Sequence, residues 1–290
     1  MDYNKNVGID LHIHSTASDG TLTPFEILNI AQKLNLGAIS ITDHDTIDGS
    51  KEALRIGMLS PLRFLTGVEI SVSSPQSLLY SGSIHILGYS INLDDPILNH
   101  TLEVLQEARK NRNPQILERL NNLGIDITFN DILKEAGDGQ VGRPHIAQSM
   151  VNKGFVKSID EAFNNYLGKG KPAYVDKFRV DCSKAIKIIL DSGGFPVLAH
   201  PILLKTKNDA ILENLVVTLK TMGLKGIEVY YPEHSPDNVA YYTKLAKRYG
   251  LLMTGGTDFH GSLKPDIKIG LGNGDFFAPY ELYEKLVKSC

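Results

Sequence analysis

From Val7 to Ile13 apolar and polar positions alternate with a period of two, the pattern of a half-buried β-strand. Thr23, Pro24 and Glu26 then spell a capping-box start, and Phe25 to Leu36 carries the apolar spacing of an amphipathic helix. Ala38 to Thr42, Arg63 to Glu69 and Ile84 to Tyr89 read as further strands, with a helix predicted over Ser50 to Met58. From Leu98 to Leu123 the pattern is that of a long charged helix. The chain stays helical and loop-rich through Gly142-Arg143-Pro144-His145, a helix ending near Gly154 and a Ser158-x-x-Glu161 start. After a helix near Asp181 to Ser192 the strand rhythm returns at Phe195 to Ala199, Gly226 to Tyr230 and Leu251 to Gly255. These runs are separated by helices near Asp209 to Met222 and Pro236 to Tyr249. Alternation of this kind predicts an α/β fold. A body of residues 1–98 and 186–290, with seven strands, is interrupted by a helical insert over 99–185.

Composition narrows the class without changing the fold. The 290 residues are 42% apolar and 22% charged, ordinary globular usage that excludes a disordered or low-complexity chain. No apolar run approaches the roughly 20 residues needed to span a bilayer, and the stretch Met1 to Val7 is polar. Cys182 and Cys290 allow one bridge at most, which fits a reducing cytoplasm. The net charge of −3 is far from that of a duplex-DNA binder, although residues 101–185 hold 13 basic against 11 acidic residues, a mildly basic insert on an acidic body.

Most of the nine histidines stand directly after strand candidates, where α/β sheets and barrels place ligand sites. In Asp10-Leu11-His12-Ile13-His14 the strand period puts both imidazoles on one face, and Asp19 in the following turn offers a hard oxygen. Thr42-Asp43-His44-Asp45 ends the second strand, with carboxylates able either to bind metal or to orient a ligating imidazole. Glu69 ends the third, a position more often merely solvated. His85 lies in the apolar run Ile84-His85-Ile86-Leu87, where a core histidine is the ordinary reading. His200 in Ala199-His200-Pro201, and Asp258 and His260 in Gly255-Gly256-Thr257-Asp258-Phe259-His260, repeat the pattern. Leaving so many imidazoles and carboxylates buried without partners is costly, and two or three divalent cations would satisfy them together. Outside this set His100 reads as exposed or capping, Tyr241 and Tyr242 as packing, and His234 as either loop or substrate contact.

These segments, in this order, resemble the polymerase and histidinol phosphatase (PHP) family of metal-dependent phosphoesterases over nearly the whole chain. The resemblance implies a distorted (β/α)7 barrel with a metal cluster at its strand ends. It further implies that His12, His14, Glu69 and Asp258 hold a first metal, with Glu69 bridging to a second held by His85 and His200. A third would lie between Asp19, His44 and His260. Many members have histidine where this chain has Asp19, which makes the third position harder. Mn is the metal favoured by family habit, with Zn, Fe and Mg also compatible. His12, His14, Glu69, Asp258 and His260 are the catalytic candidates.

Gly142-Arg143-Pro144-His145 resembles a segment of one PHP subgroup, phosphatases of nucleoside 3′,5′-bisphosphates and nucleases trimming short 5′-phosphorylated RNA. On that likeness Arg143 grips a phosphate and His145 adds a donor; His234, by its place after the sixth strand, is a third substrate candidate. Lys169, Lys171, Lys177 and Arg179 form a second basic group, which reads equally as a solvated loop. The expected reaction is hydrolysis of phosphate monoesters on small nucleotides or short oligonucleotides, with no duplex DNA, membrane or obligate protein partner. Histidinol-phosphate hydrolysis and a non-catalytic assembly module are the alternatives.

Overall fold

The computed structural model describes residues 7–57, 61–75, 82–136 and 140–289. Met1, Met58 and Cys290, named above, lie outside them. Seven main strands form one sheet: β1 (Gly8–Ile13), β2 (Ala38–Ile41), β3 (Arg63–Ser73), β4 (Ile84–Tyr89), β6 (Phe195–Leu198), β7 (Gly226–Tyr230) and β8 (Leu252–Gly255). Two-residue strands β5 (Val180–Asp181) and β9 (Ala278–Pro279) pair with β3 and β1. The order is β8-β7-β6-β4-β3-β2-β1-β9, and the sheet curls until the segment after β8 meets β1. There the Asp258 N–H donates to the His12 carbonyl at 2.8 Å and the His14 N–H to the Phe259 carbonyl at 2.9 Å. Gly256 permits this approach, because a Cβ there would sit 2.3 Å from the His12 backbone nitrogen.

The helices α1 (Pro24–Lys33), α2 (Asp48–Ile56), α7 (Cys182–Asp191), α8 (Asp209–Thr221), α9 (Pro236–Tyr249) and α10 (Tyr280–Lys288) surround the sheet. The expected capping box opens α1: Thr23 accepts from Glu26 N–H, the Glu26 carboxylate accepts from Thr23 N–H, and Pro24 occupies the first turn, where its missing donor costs nothing. Across the interior the buried Tyr89 hydroxyl reaches from β4 to the Leu11 carbonyl on β1 at 2.9 Å, two intervening strands away in the sheet.

One feature departs from a simple strand-helix rhythm. β3 runs four residues past Glu69, and β4, the next strand, lies antiparallel to both of its neighbours β3 and β6. Reversal brings the start of β4, and hence His85, to the end of the barrel where the other main strands finish. That is the distortion in this barrel.

The excursion between β4 and β5 holds α3 (Pro96–Asn122), α4 (Phe129–Ala136), α5 (Arg143–Asn152), α6 (Ile159–Ala162) and a π turn at Phe163–Leu167. The first half of α3 buries Leu98, Leu102 and Leu105 in a core shared with β3, β4 and α7. Its second half buries Ile116, Leu117 and Leu120 in a separate core with Ile132, Ile146, Met150 and Leu167. Ile146 is fully buried there. Replacing it with alanine is expected to cost about 2 to 5 kcal/mol, read as a lower urea midpoint at unchanged slope. A loss below about 1 kcal/mol would contradict native-density packing of this small core.

Candidate metal centre

All nine proposed ligands meet at one end of the barrel. Glu69 is the hub: it is fully buried, and five imidazoles approach its carboxylate. His85 Nδ1 and His200 Nε2 lie 2.8 and 2.9 Å from Oε1, while His44 Nδ1, His14 Nε2 and His12 Nε2 lie 2.8, 3.3 and 3.5 Å from Oε2. Asp258 Oδ1 stands 3.1 Å from His14 Nε2, and Asp19 Oδ1 is 3.6 Å from His260 Nε2 and 3.7 Å from His14 Nδ1. Three overlapping groups have ligand atoms within 4.8 Å of one another: His12, His14, Glu69 and Asp258; His14, Asp19, His44 and His260; and His44, Glu69 and His85.

The fit to cations follows from what these atoms lack. Among the described residues, His12 Nε2, both ring nitrogens of His14, His44 Nδ1, His200 Nδ1, Asp19 Oδ1 and Glu69 Oε2 are buried and make no well-directed hydrogen bond, even where, as for His44 Nδ1 and Glu69 Oε2, they lie close together. Each such group costs on the order of 1 to 3 kcal/mol. A divalent cation with imidazole and carboxylate ligands removes that cost, so the donor set suits Zn, Mn or Fe.

Charges within the cluster pull the histidines apart. Burial alone would lower the His14 pKa, but Asp258 and Glu69 carry it up to about 9. Burial wins at His85 and His260, which fall to about 4 and about 3, helped at His260 by His14 and Lys264. Glu69 is held well below the usual carboxylate range against its burial by His44, His85 and His12.

A ring of groups outside the ligands fixes their aim. Glu228 Oε1 is 3.0 Å from His12 Nδ1 and its Oε2 accepts the His200 backbone N–H at 2.7 Å, which turns His12 Nε2 toward Glu69 and Asp258. Lys264 Nζ at 2.6 Å and the Tyr231 hydroxyl at 3.1 Å hold Asp258 Oδ2, leaving Oδ1 for the cluster. Asp10 gathers Thr257 and the Gly270 N–H. Of the two carboxylates flanking His44, neither contacts a ligating imidazole by hydrogen bond. Asp43 clamps Ser15 and Ser18 in the turn before Asp19, and Asp45 reaches toward the insert.

The cluster floors a cavity of about 890 Å³ whose opposite wall comes from the insert. Arg143 lines it, with its guanidinium 5.5 Å from the centres of both the Phe163 and Tyr174 rings and Nη1 donating to the Leu167 carbonyl at 2.9 Å. His145 is buried off the cavity wall, and its Nδ1 accepts the Gly142 N–H at 3.0 Å, capping α5. His234 also lies off the wall, donating through Nδ1 to the Val229 carbonyl at 2.8 Å and packing on Tyr231 and Tyr242. Lys177 and Arg179 reach the cavity, whereas Lys169 and Lys171 are exposed away from it.

Two cations went unnoticed in the sequence, Arg109 and Arg112 on α3. So did Glu228, although a carboxylate inside the apolar run Gly226-Ile227-Glu228-Val229-Tyr230 is the same kind of signal that His85 gives on β4.

The sequence signature of the PHP domain matches residues 10–190. A relative from Chromobacterium violaceum described as a 3′,5′-nucleoside bisphosphate phosphatase is 34% identical over 253 residues, 87% of each chain. A 5′-3′ exoribonuclease of Haemophilus influenzae is 33% identical over 252 residues, covering 87% of this chain and 89% of its own. A solved structure from Chromobacterium violaceum, described as an amidohydrolase with bound sulfate and no metal, superposes with a TM-score of 0.84 at 31% identity. It covers 97% of this chain and 96% of that one. With this signature over most of its length and these relatives across nearly all of it, the chain belongs to the PHP domain family and is a metal-dependent phosphoric ester hydrolase.

Proposed function

We propose that the enzyme removes a phosphate from nucleoside 3′,5′-bisphosphates, with short 5′-phosphorylated oligonucleotides as longer substrates of the same kind. One observation carries this reading: the metal-ligand floor faces a wall of cations across one cavity, and Arg112 on that wall is 3% exposed with Nε and Nη2 unpartnered. A substrate with one phosphate would need only the floor. A second phosphate supplies the anion that the wall lacks. The relatives named as a bisphosphate phosphatase and an exoribonuclease support the same substrate class.

In this reading His12, His14, Glu69 and Asp258 hold one cation, Glu69 with His85 and His200 a second, and Asp19, His44 and His260 a third, with Mn the expected metal. Bound there, such cations supply Lewis acidity that neutralises charge on the phosphoryl oxygens and makes water a competent nucleophile near neutral pH. The protein's own contribution is orientation. Glu228 keeps His12 Nε2 toward the floor, and Lys264 and Tyr231 keep Asp258 from rotating. His260 donates through Nδ1 to the Asp258 carbonyl at 2.7 Å, which leaves its Nε2 lone pair toward Asp19. Arg112 and Arg143 hold the distal phosphate by charge-assisted hydrogen bonds, and the insert roofs the floor so that a duplex cannot enter. His145 supports this wall by capping α5, directly behind Arg143. Among the described residues no helix is long and apolar enough to cross a membrane, and Cys182 is a buried free thiol, in keeping with a cytoplasmic enzyme.

Metal-free protein titrated with Mn is expected to retain two to three equivalents by elemental analysis. At a hundredfold excess over Kd the folded state should gain about 2.7 kcal/mol per site, seen as a higher melting temperature that a chelator reverses. One equivalent or none at saturation would sink the multinuclear reading.

A screen of phosphate release from nucleoside 3′,5′-bisphosphates, mononucleotides, histidinol phosphate and 5′-phosphorylated oligomers tests the substrate class, with the bisphosphate expected to have the highest kcat/KM. Glu69→Ala should abolish turnover on every substrate. Arg143→Ala should lower kcat/KM on the bisphosphate by on the order of 10- to 1000-fold and on p-nitrophenyl phosphate much less. Equal losses on both would place Arg143 in folding or catalysis rather than recognition.

A further inference from the structure

Five cations line the insert side of the cavity: Arg109, Arg112, Arg143, Lys177 and Arg179. The barrel itself already answers two of them. Asp45 follows His44 with φ at +56°, a left-handed backbone that a non-glycine residue keeps only when its surroundings hold it. They do so at several points. Its N–H donates to the Glu69 carbonyl at 2.9 Å, its carbonyl accepts from Gln106 Nε2 at 3.1 Å, and Oδ1 accepts the Ser71 N–H at 2.9 Å. Oδ2 then takes Arg109 Nη2 and Lys177 Nζ, each at 2.5 Å. The carboxylate is fully buried, so this contact is not weakened by water.

The remaining cations are served unequally. Arg179 pairs with Asp176, and Arg143 rests on a backbone carbonyl between two rings. Among the described residues Arg112 pairs with no anion, and its Nε and Nη2 have no hydrogen-bond partner. Burial, reinforced by Arg109, Arg143 and Arg179, pulls its pKa down to about 9. Burial and Arg109 likewise bring Lys177 to about 7, with Asp45 acting the other way to keep it charged. Five positive groups therefore face three carboxylates, Asp45, Asp176 and the exposed Asp160 of the same wall, and the excess of two suits one phosphate dianion. A diphosphate carries more charge and would need the two cations that Asp45 occupies.

We infer that Asp45 is a specificity-determining residue: by pairing with both Arg109 and Lys177 from inside and cancelling one of their two charges, it leaves the cationic wall matched to a single phosphate and poorly matched to a diphosphate chain. This rests on the reading above, in which the wall receives the distal phosphate. Asp45 touches no substrate atom in this role. It is a positioning residue acting through two neighbouring cations, and no bond to substrate forms or breaks at it.

The test uses the metal-loaded enzyme and two substrates that differ only in the distal group. One is a nucleoside 3′,5′-bisphosphate, and the other carries a diphosphate at the position that is not hydrolysed. Wild type should prefer the first by tenfold or more in kcat/KM. Asp45→Asn keeps the shape and the acceptor for Ser71 but frees the two cations, and should shrink that preference by about tenfold, mainly through KM for the diphosphate. Adding Lys177→Met to it restores the charge balance and should restore the preference, which a purely structural lesion would not do. A ratio within twofold of wild type in Asp45→Asn overturns the proposal. If that variant does not fold, Lys177→Met alone lowers the wall by one charge and should widen the preference, and no widening overturns it equally. Arg112→Met separates the two readings: it should raise KM for both substrates by at least tenfold, and if it changes neither, the placement of the distal phosphate fails rather than the role of Asp45 within it.

Discussion

A carboxylate with no access to water, ringed by five imidazoles, is the constraint around which this protein is arranged. Glu69 cannot remain charged in an apolar interior without opposite charge, and the imidazoles cannot all remain unpartnered beside it. Each strand end that meets Glu69 brings a group that helps to settle this imbalance. The barrel brings together the end of β1, the turn after β2, the start of β4 and the segments after β6 and β8. Without cations the imbalance is only partly relieved, as the unpartnered atoms of His12, His14, His44 and His200 show.

The reversal of β4 belongs to the same problem. In an all-parallel barrel a histidine at the second position of a strand would lie at the far end from the cluster. Running β4 antiparallel to β3 and β6 turns that position toward Glu69, and the paired register places Ser71 opposite His85 and Glu69 opposite Leu87. Closure through Gly256 does similar service on the other side, since it lets the Asp258 N–H bond the His12 carbonyl and so joins two ligand segments through backbone.

What the sequence revealed follows from which forces act locally. Period-two alternation and capping residues mark Ile9, Leu11, Ile13 and the Thr23 box within a few residues of one another, so the seven main strands were legible. Histidines repeated at strand ends made the cluster visible even though His85 taken singly looked like core. Arg112 and Glu228 were not legible, because their meaning lies in burial, and burial is a property of residues distant in sequence. On a charged helix Arg112 looks like any solvated side chain until the insert folds over it. His145 and Asp45 show the converse: both stand beside residues of obvious chemistry, yet one caps a helix and the other faces the insert, partners 3 and more than 60 residues away.

The helix α3 has a mechanical consequence. It runs for 27 residues, about 40 Å at the usual rise, and the one proline inside it, Pro114, lies beyond Arg112; one end is set among Leu98, Leu102 and Leu105 and the other among Ile116, Leu117 and Leu120. Arg109 and Arg112 ride on its middle, between these two anchorages. Their separation from Glu69 is consequently set by the stiffness of a rod rather than by the drape of a loop, and on the proposed reading that rod would act as a ruler for the span between the two phosphates of a substrate.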